Sequence, residues 1–358
     1  MNNSEIFKDI TNSFEHKHSW LGRQVCEEFL LSLASWNIQH WQKPDFRVAT
    51  HKLFYWDRGW IKSSLLDMLY KLLDDRLAIR IADITRPAFR GSINTDGETT
   101  DFIPPLPVLY FFIFIKELGS ITSKKDDLVQ EMLEQMESGE GSTRLVKFSR
   151  LSKEAKKEIE AKWPWIKFKD NATLTFKSDN VYIAATYKAN YITDEAFAER
   201  FEVILPEKPL TSELTKWSDR HGFILNPDTV ASLNQRIVMQ GRIISEPNLP
   251  DDLYDKERFL SHRGARNIRA FLMARDWWGL STDNTLVYDR YTKMKLGQKR
   301  ITMYEADKVA EALRQHGKST LEELSTELNM PISRIRKALI TDLDARRVIE
   351  NGSEYYSI

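Results

Sequence analysis

The sequence predicts an α/β protein that ends in a small module of helices and a hairpin. Three observations carry this expectation. Runs rich in β-branched and aromatic residues, at Phe46 to Trp56, Ala78 to Ile84 and Val181 to Ala185, alternate with helical runs. A mainly helical stretch follows from Thr211 to about Gly297. Near the end, Asn351-Gly352 lies between two short strand-like segments, a strong hairpin signal.

Length and composition set the bounds. A chain of 358 residues is long enough for more than one core, and 42% hydrophobic with 29% charged residues is the balance of a folded globular protein. The longest apolar run, Leu106 to Ile115, is too short to span a bilayer and contains Pro107, so a buried strand is expected there. The opening MNNSEIFKDITNSFEHKH lacks the apolar core of a signal peptide, which predicts a cytoplasmic protein with no membrane partner. Lys plus Arg and Asp plus Glu number 52 each, so any attraction for nucleic acid must be local. One cysteine, Cys26, permits no internal disulfide, and the seven histidines show no zinc-ligand spacing.

From Ser19 to about Lys43, Val25, Phe29, Leu33 and Trp36 recur at helical spacing until Pro44 and Asp45 end the pattern. Phe46 to Trp56 reads as a strand, Asp57-Arg58-Gly59 as a turn, and KSSLLDMLYKLL as a helix. Further helices are expected over Asp126 to Met136 and Ser152 to Lys162. The basic stretch KMKLGQKR reads as an exposed linker before the last module.

In that module, Ala306 to His316 is amphipathic and closed by Gly317. Ser319 and Thr320 supply cap oxygens for Leu321 to Leu328, and Glu322 and Glu323 suit the positive end of the helix dipole. Asn329, Met330 and Pro331 turn the chain into a third helix from about Ile332 to Ala345. Strands at Val348 to Glu350 and Tyr355 to Ile358 complete it. This order looks like a winged helix-turn-helix, in which the third helix enters the DNA major groove. Ser333, Arg334, Arg336 and Lys337 occupy the reading positions, with Arg346 and Arg347 near the wing for phosphate. The alternative is a protein-contacting module whose cations form a solvated face, diluted by Glu322, Glu323, Glu327, Asp342 and Asp344.

A phosphate-binding loop needs glycines for close backbone approach, a lysine for the phosphate oxygens and a hydroxyl for magnesium, at a helix N-terminus. WDRGWIKSSLL supplies Gly59 in the turn and Lys62 and Ser63 at the helix start, but Trp56 and Ile61 stand where the defining glycines would be. The segments that follow place this fragment in a series. TRPAFRGSINTDG, FFIFIKELGSI, LVQEMLEQMESGEGSTRLVKF, VYIAATYKAN, ERFEVILP and SHRGARNIRAFLMARDWWGL come in the order found in a known family. Over roughly Phe46 to Leu280 the chain resembles the AAA+ ATPase module of minichromosome-maintenance (MCM) helicases and related mobile-element ATPases.

That resemblance implies an N-terminal helical segment over 1–45, a three-layer P-loop-like α/β core over 46–210, a helical lid over 211–300 and the winged helix over 301–358. The family's N-terminal oligonucleotide-binding domain is not expected here, since about 45 residues precede the first strand. Carried over, Lys62 becomes the phosphate lysine and Ser63 the magnesium hydroxyl. Glu117 becomes the carboxylate orienting water, Thr186 the first sensor, Arg200 the arginine finger for a neighbouring subunit and Arg263 the second sensor. Lys147 falls in a hairpin facing DNA in a ring pore. ATP is the implied cofactor; DNA and other AAA+ subunits, in a homo- or hetero-oligomer, are the implied partners.

One residue departs from the pattern. Where the family has an aspartate that helps hold magnesium, this chain has Lys116. Metal-assisted phosphoryl transfer relies on that ion, so weak or absent hydrolysis is expected. Either Lys116 reaches the phosphates in place of the metal, or it points to solvent and the pocket is filled by Trp56 and Ile61. The tryptophan pairs Trp163/Trp165 and Trp277/Trp278 are expected as packing anchors, and Asp74-Asp75 and Asp251-Asp252 as turn and cap residues.

Overall fold

The computed structural model describes residues 1–55, 61–82, 85–96, 99–118, 126–186, 200–204, 223–255, 260–328, 330–343, 345–350 and 353–357. Helix α1 (Asn3–Gln42) leads into β1 (His51–Tyr55), α2 (Lys62–Tyr70), β2 (Ala78–Ile81), α3 (Arg86–Arg90) and the hairpin β3 (Ser92–Asp96) and β4 (Thr99–Ile103). Then come α4 (Leu106–Leu109), β5 (Phe112–Ile115), α5 (Asp126–Ser138), β6 (Glu140–Arg144), a 3₁₀ turn (Val146–Arg150), α6 (Lys153–Lys162), β7 (Ile166–Phe168), β8 (Thr173–Lys177), β9 (Val181–Thr186) and β10 (Phe201–Ile204). The remainder holds α7 (Pro227–Val238), a 3₁₀ turn (Asp251–Tyr254), α8 (His262–Trp277), α9 (Asn284–His316), α10 (Leu321–Leu328), α11 (Ile332–Lys337), β11 (Arg346–Glu350) and β12 (Ser353–Ser357).

β1, β2, β5, β9 and β10 form one sheet in the order β10-β1-β9-β5-β2, with every neighbouring pair parallel. A parallel sheet is covered on both faces, which is why FIFI of β5 and VYIAAT of β9 are buried at every position. The chain is thus mixed α/β around a parallel sheet. The apolar run from Leu106 to Ile115 is not one strand as expected. Pro105 and Pro107 favour the helical turn α4, and only the last four residues join the ladder.

The N-terminal helix begins sixteen residues earlier than its periodicity predicts. Asn2 and Glu5 form a reciprocal capping box, and Ile6, Phe7, Ile10 and Phe14 bury one face. His18 and Ser19 leave helical geometry, Ser19 at φ 52°, and kink α1 where the sequence reading placed its start. Beyond the kink, every residue from Phe29 to Ile38 is buried. A helix buried all round must be covered on all sides. Here β1, β9 and α2 lie against it, as do α7 and α8.

Polar bonds fix that contact. Asn37 donates to the carbonyls of Ile237 (2.7 Å) and Met239 (2.8 Å) and accepts from the indole of Trp277 (2.9 Å). The Trp278 indole donates to the Leu30 carbonyl at 2.8 Å. Trp277 and Trp278 are therefore packing anchors, as the sequence indicated.

A second, antiparallel sheet, β6-β8-β7, has its own core with Phe148, Leu151, Ile159, Ile166, Leu174 and Phe176. The helices expected over Asp126 to Met136 and Ser152 to Lys162 are α5 and α6, and the segment between them supplies β6 of this sheet. α6 and β7 lie between β6 and β8 in the chain, and β7 pairs with β8 while Ile159 of α6 joins their core.

The chain divides into two compact units, one of residues 1–187 with 200–287 and one that includes Tyr288–Ile358. The stretch KMKLGQKR is helical backbone inside α9, not an irregular linker. In the second unit, Gly317 ends α9 at φ 75°, and Thr320 and Glu323 cap α10 reciprocally. The third helix is shorter than expected: after Lys337 the chain widens into a π turn over Ala338–Asp342. β11 and β12 pair antiparallel, and Ser319 exchanges two backbone hydrogen bonds with Tyr356 (3.1 and 2.9 Å). Asn329, Asp344, Asn351 and Gly352 lie outside the described residues. Among the described residues no helix is long and apolar enough to cross a membrane.

Replacing Asn37 with alanine orphans the buried Trp277 indole and the buried Ile237 carbonyl, and removes a bond to the partly buried Met239 carbonyl. Each orphaned group costs about 1–3 kcal/mol. Urea denaturation of Asn37→Ala is expected to give a lower midpoint with an unchanged slope; an unchanged midpoint would show that these bonds do not hold α7 and α8 in place.

Candidate functional site

The carboxyl ends of the parallel strands bring three of the sequence-derived residues to one edge. β1 connects toward β2 at one end of the sheet, while its neighbour β9 connects the opposite way to β10 at the other, so the direction of connection reverses between them. Ligands of open α/β sheets bind outside such a reversal. Lys62 opens α2 just after β1, Glu117 follows β5, and Thr186 ends β9 as the partner of Tyr55.

Lys62 is 6% exposed and its ammonium lies 3.5 Å from the Glu117 carboxylate. A buried cation on the first turn of a helix adds to the positive end of the helix dipole, and no acid stands in that turn. The place therefore favours an anion, and Glu117 is the described carboxylate that reaches it. The ladder holds Glu117 in position through Lys116 N to Ile81 O (3.2 Å) and Leu118 N to Ala185 O (2.9 Å). Thr186 is fully buried and Ser63 exposed. Ile61 packs against the core, while Trp56 and Gly59 lie outside the described residues.

The Lys116 ammonium sits 3.5 Å from Asp67, a carboxylate that also accepts from Arg80 at 2.6 Å, and the side chain stays partly exposed. Asp67 is five residues along α2 from Lys62, roughly 7.5 Å in helical rise.

Arg200 and Arg263 gather elsewhere. Arg200 precedes Phe201, which pairs with His51 at the amino end of β1. That edge lies roughly 13 Å from the carboxyl edge along a five-residue strand. Arg200 and Arg263 approach the same oxygen of Glu137, at 3.2 and 3.1 Å, and Arg266 lies 3.8 Å from the other oxygen. Burial lowers the Arg266 pKa against the attraction of Glu137, and the neighbouring Arg263 and Arg200 lower it further. Arg47, beside the same crevice, is pushed down to about 10, mainly by burial. Lys147 lies apart from both groups, exposed on the 3₁₀ turn after β6. In the second unit Ser333, Arg336, Lys337, Arg346 and Arg347 are exposed and Arg334 is half-buried; Arg347 is held by Glu354 at 2.7 Å.

Sequence reasoning missed Glu137, Asp67 and, above all, Lys52. This lysine is 1% exposed in the middle of β1, held by Glu28 of α1 at 2.8 Å and by Glu202 of β10. A lysine inside a wholly buried strand is a legible signal, since such a charge must be paired. Among the described residues, no group of three or more His, Cys, Asp or Glu side chains is arranged to hold a metal ion. Comparison with family models and with curated proteins finds no match for this chain.

His51, fully buried at the amino edge, has its pKa pushed well below the ordinary 6.5 by burial and then by Arg47. Below that value the unfolded chain takes up a proton that folded His51 refuses, so stability falls as pH falls. The contribution approaches about 1.4 kcal/mol per pH unit. Urea denaturation between about pH 7 and 5 is expected to show a shallower decline for His51→Asn than for wild type. Equal slopes would mean that His51 is protonated in the folded state.

Proposed function

We propose that this chain is a DNA-binding protein built on an AAA+-type core with a degenerate nucleotide site, resembling MCM helicases and related mobile-element ATPases. It acts within a replication or mobile-element nucleoprotein assembly and hydrolyses ATP weakly or not at all. The observation that carries this reading is the meeting of Lys62 and Glu117 at the carboxyl edge of a parallel sheet, with Thr186 ending the adjacent strand. Two loops some 55 residues apart in sequence supply the two charges, at the place where α/β sheets take their ligands.

Two features favour holding a nucleotide over turning it over. The magnesium aspartate is replaced by Lys116, which is engaged by Asp67. α7 and α8, the proposed lid, are bonded to α1 through Asn37, Trp277 and Trp278, which opposes the closure that many ATP-using enzymes need. Arg200 and Arg263 sit together on the far edge, where they can serve the site of an adjoining subunit. DNA contact falls to the C-terminal module, read as a winged helix, through Ser333, Arg334, Arg336, Lys337, Arg346 and Arg347.

An unconventional ATPase motor is the second reading, favoured by the same closeness of Glu117 to Lys62. One set of measurements on the full chain separates the two. With DNA and magnesium present, phosphate release is expected at background. A fluorescent ATP analogue is expected to bind with little dependence on EDTA, and Lys62→Ala to weaken it by about tenfold or more. Phosphate release abolished by Lys62→Ala would establish the motor. Analogue binding indifferent to Lys62→Ala, with DNA binding indifferent to Arg334→Ala/Arg336→Ala/Lys337→Ala, would remove the proposal.

A further inference from the structure

At the amino edge of the parallel sheet, a narrow crevice is lined by Arg47, His51, Glu137, Arg200, Glu202 and Arg266. Three guanidinium groups face two carboxylates there, and both carboxylates are already engaged. Glu137 is shared by Arg200 and Arg266 with Arg263, and Glu202 is taken by the buried ammonium of Lys52. Arg47 is left over. Among the described residues no carboxylate forms an ion pair with it, and its Nε and Nη2 are buried without a hydrogen-bond partner. Burial lowers the Arg47 pKa to about 10, with Asp179 raising it and Arg266 lowering it, so the group still carries its charge at neutral pH.

His51 brings a second donor to the same crevice. The residue is 2% exposed, and its Nδ1 accepts the Tyr182 backbone N–H at 3.0 Å. The neutral ring then carries its proton on Nε2, which is buried beside the Met136 carbonyl but outside hydrogen-bond geometry. A buried N–H without an acceptor and a buried cation without a counter-charge are both costly. One kind of particle answers both needs, an anion. The space it would fill is about 10 Å³, close to one water-sized sphere, which rules out a nucleotide or an organic acid. A water molecule would accept from the donors and leave the excess positive charge in place.

We propose that this crevice binds a single monatomic anion, chloride, held by Arg47 and the His51 Nε2–H within the positive field of Arg266 and Arg200. The anion joins the segment before β1 to α8 through Arg47 and Arg266, and so stabilises the amino edge of the sheet. Arg47 and His51 have no part in the nucleotide reading given above, and the site requires neither nucleotide nor DNA.

The test is urea denaturation of the full chain at constant ionic strength, with sodium gluconate replaced stepwise by sodium chloride. All ten tryptophans fall within the ranges of the first unit, so their fluorescence follows that unit. For a dissociation constant of about 10 mM, the folding equilibrium constant is expected to rise about tenfold between about 10 and 200 mM chloride. Arg47→Met is expected to lose this gain. Equal midpoints in chloride and gluconate, or a chloride gain that survives in Arg47→Met, would overturn the proposal. A gain of the same size in sulfate, also removed by Arg47→Met, would overturn the assignment to a monatomic anion. Should Arg47→Met fail to fold, crystals of the wild-type chain grown in bromide decide the matter. An anomalous peak between Arg47 and His51 is expected, and bromide found only elsewhere would sink the idea.

Discussion

The burial of α1 on every side is the constraint on which the first unit depends. From Phe29 to Ile38 this helix has no solvent face, so the sheet, α2, α7 and α8 must close around it. Asn37 makes that closure specific. A buried amide can be satisfied in few arrangements, and here it takes two carbonyls of the α7 segment and the Trp277 indole of α8. Lys52 adds a second tie, with its ammonium bridging Glu28 of α1 and Glu202 of β10. Breaking either would strand polar groups in a low-dielectric interior.

That constraint shapes what the candidate site can do. The carboxyl edge has a lysine at a helix N-terminus, a carboxylate from the third strand of the sheet in chain order and a threonine at the end of the adjacent strand, all fixed by the ladder. Preorganised charge of this kind suits the binding of an anion. On the reading proposed above, turnover would also need a metal to offset developing charge and a lid that closes; Lys116, beside Asp67, and the bonds that hold α7 and α8 to α1 are the features that oppose them.

Charge is distributed by edge and by element. The carboxyl edge holds Lys62 against Glu117. The amino edge gathers Arg200, Arg263 and Arg266 around Glu137, with Arg47 buried beside them. Cations outnumber the carboxylate there. A molecule with no net charge thus concentrates positive charge locally, and composition alone conceals it.

By itself the sequence determined what depends on local pattern. The alternation of apolar strands and amphipathic helices gave the α/β class, and the spacing of Lys62 after β1 marked the start of α2. The caps at Thr320 and Gly317 marked the ends of the last helices, because caps and periodicity act within a few residues. The tertiary structure alone decided which charges meet. Glu117 turned to Lys62 and Lys116 to Asp67, two residues five positions apart on α2. Arg200 and Arg263 met on Glu137, and α1 became the centre of the unit, through contacts between residues far apart in the chain. Such contacts follow from the closing of a shared core, and no window of sequence contains both partners.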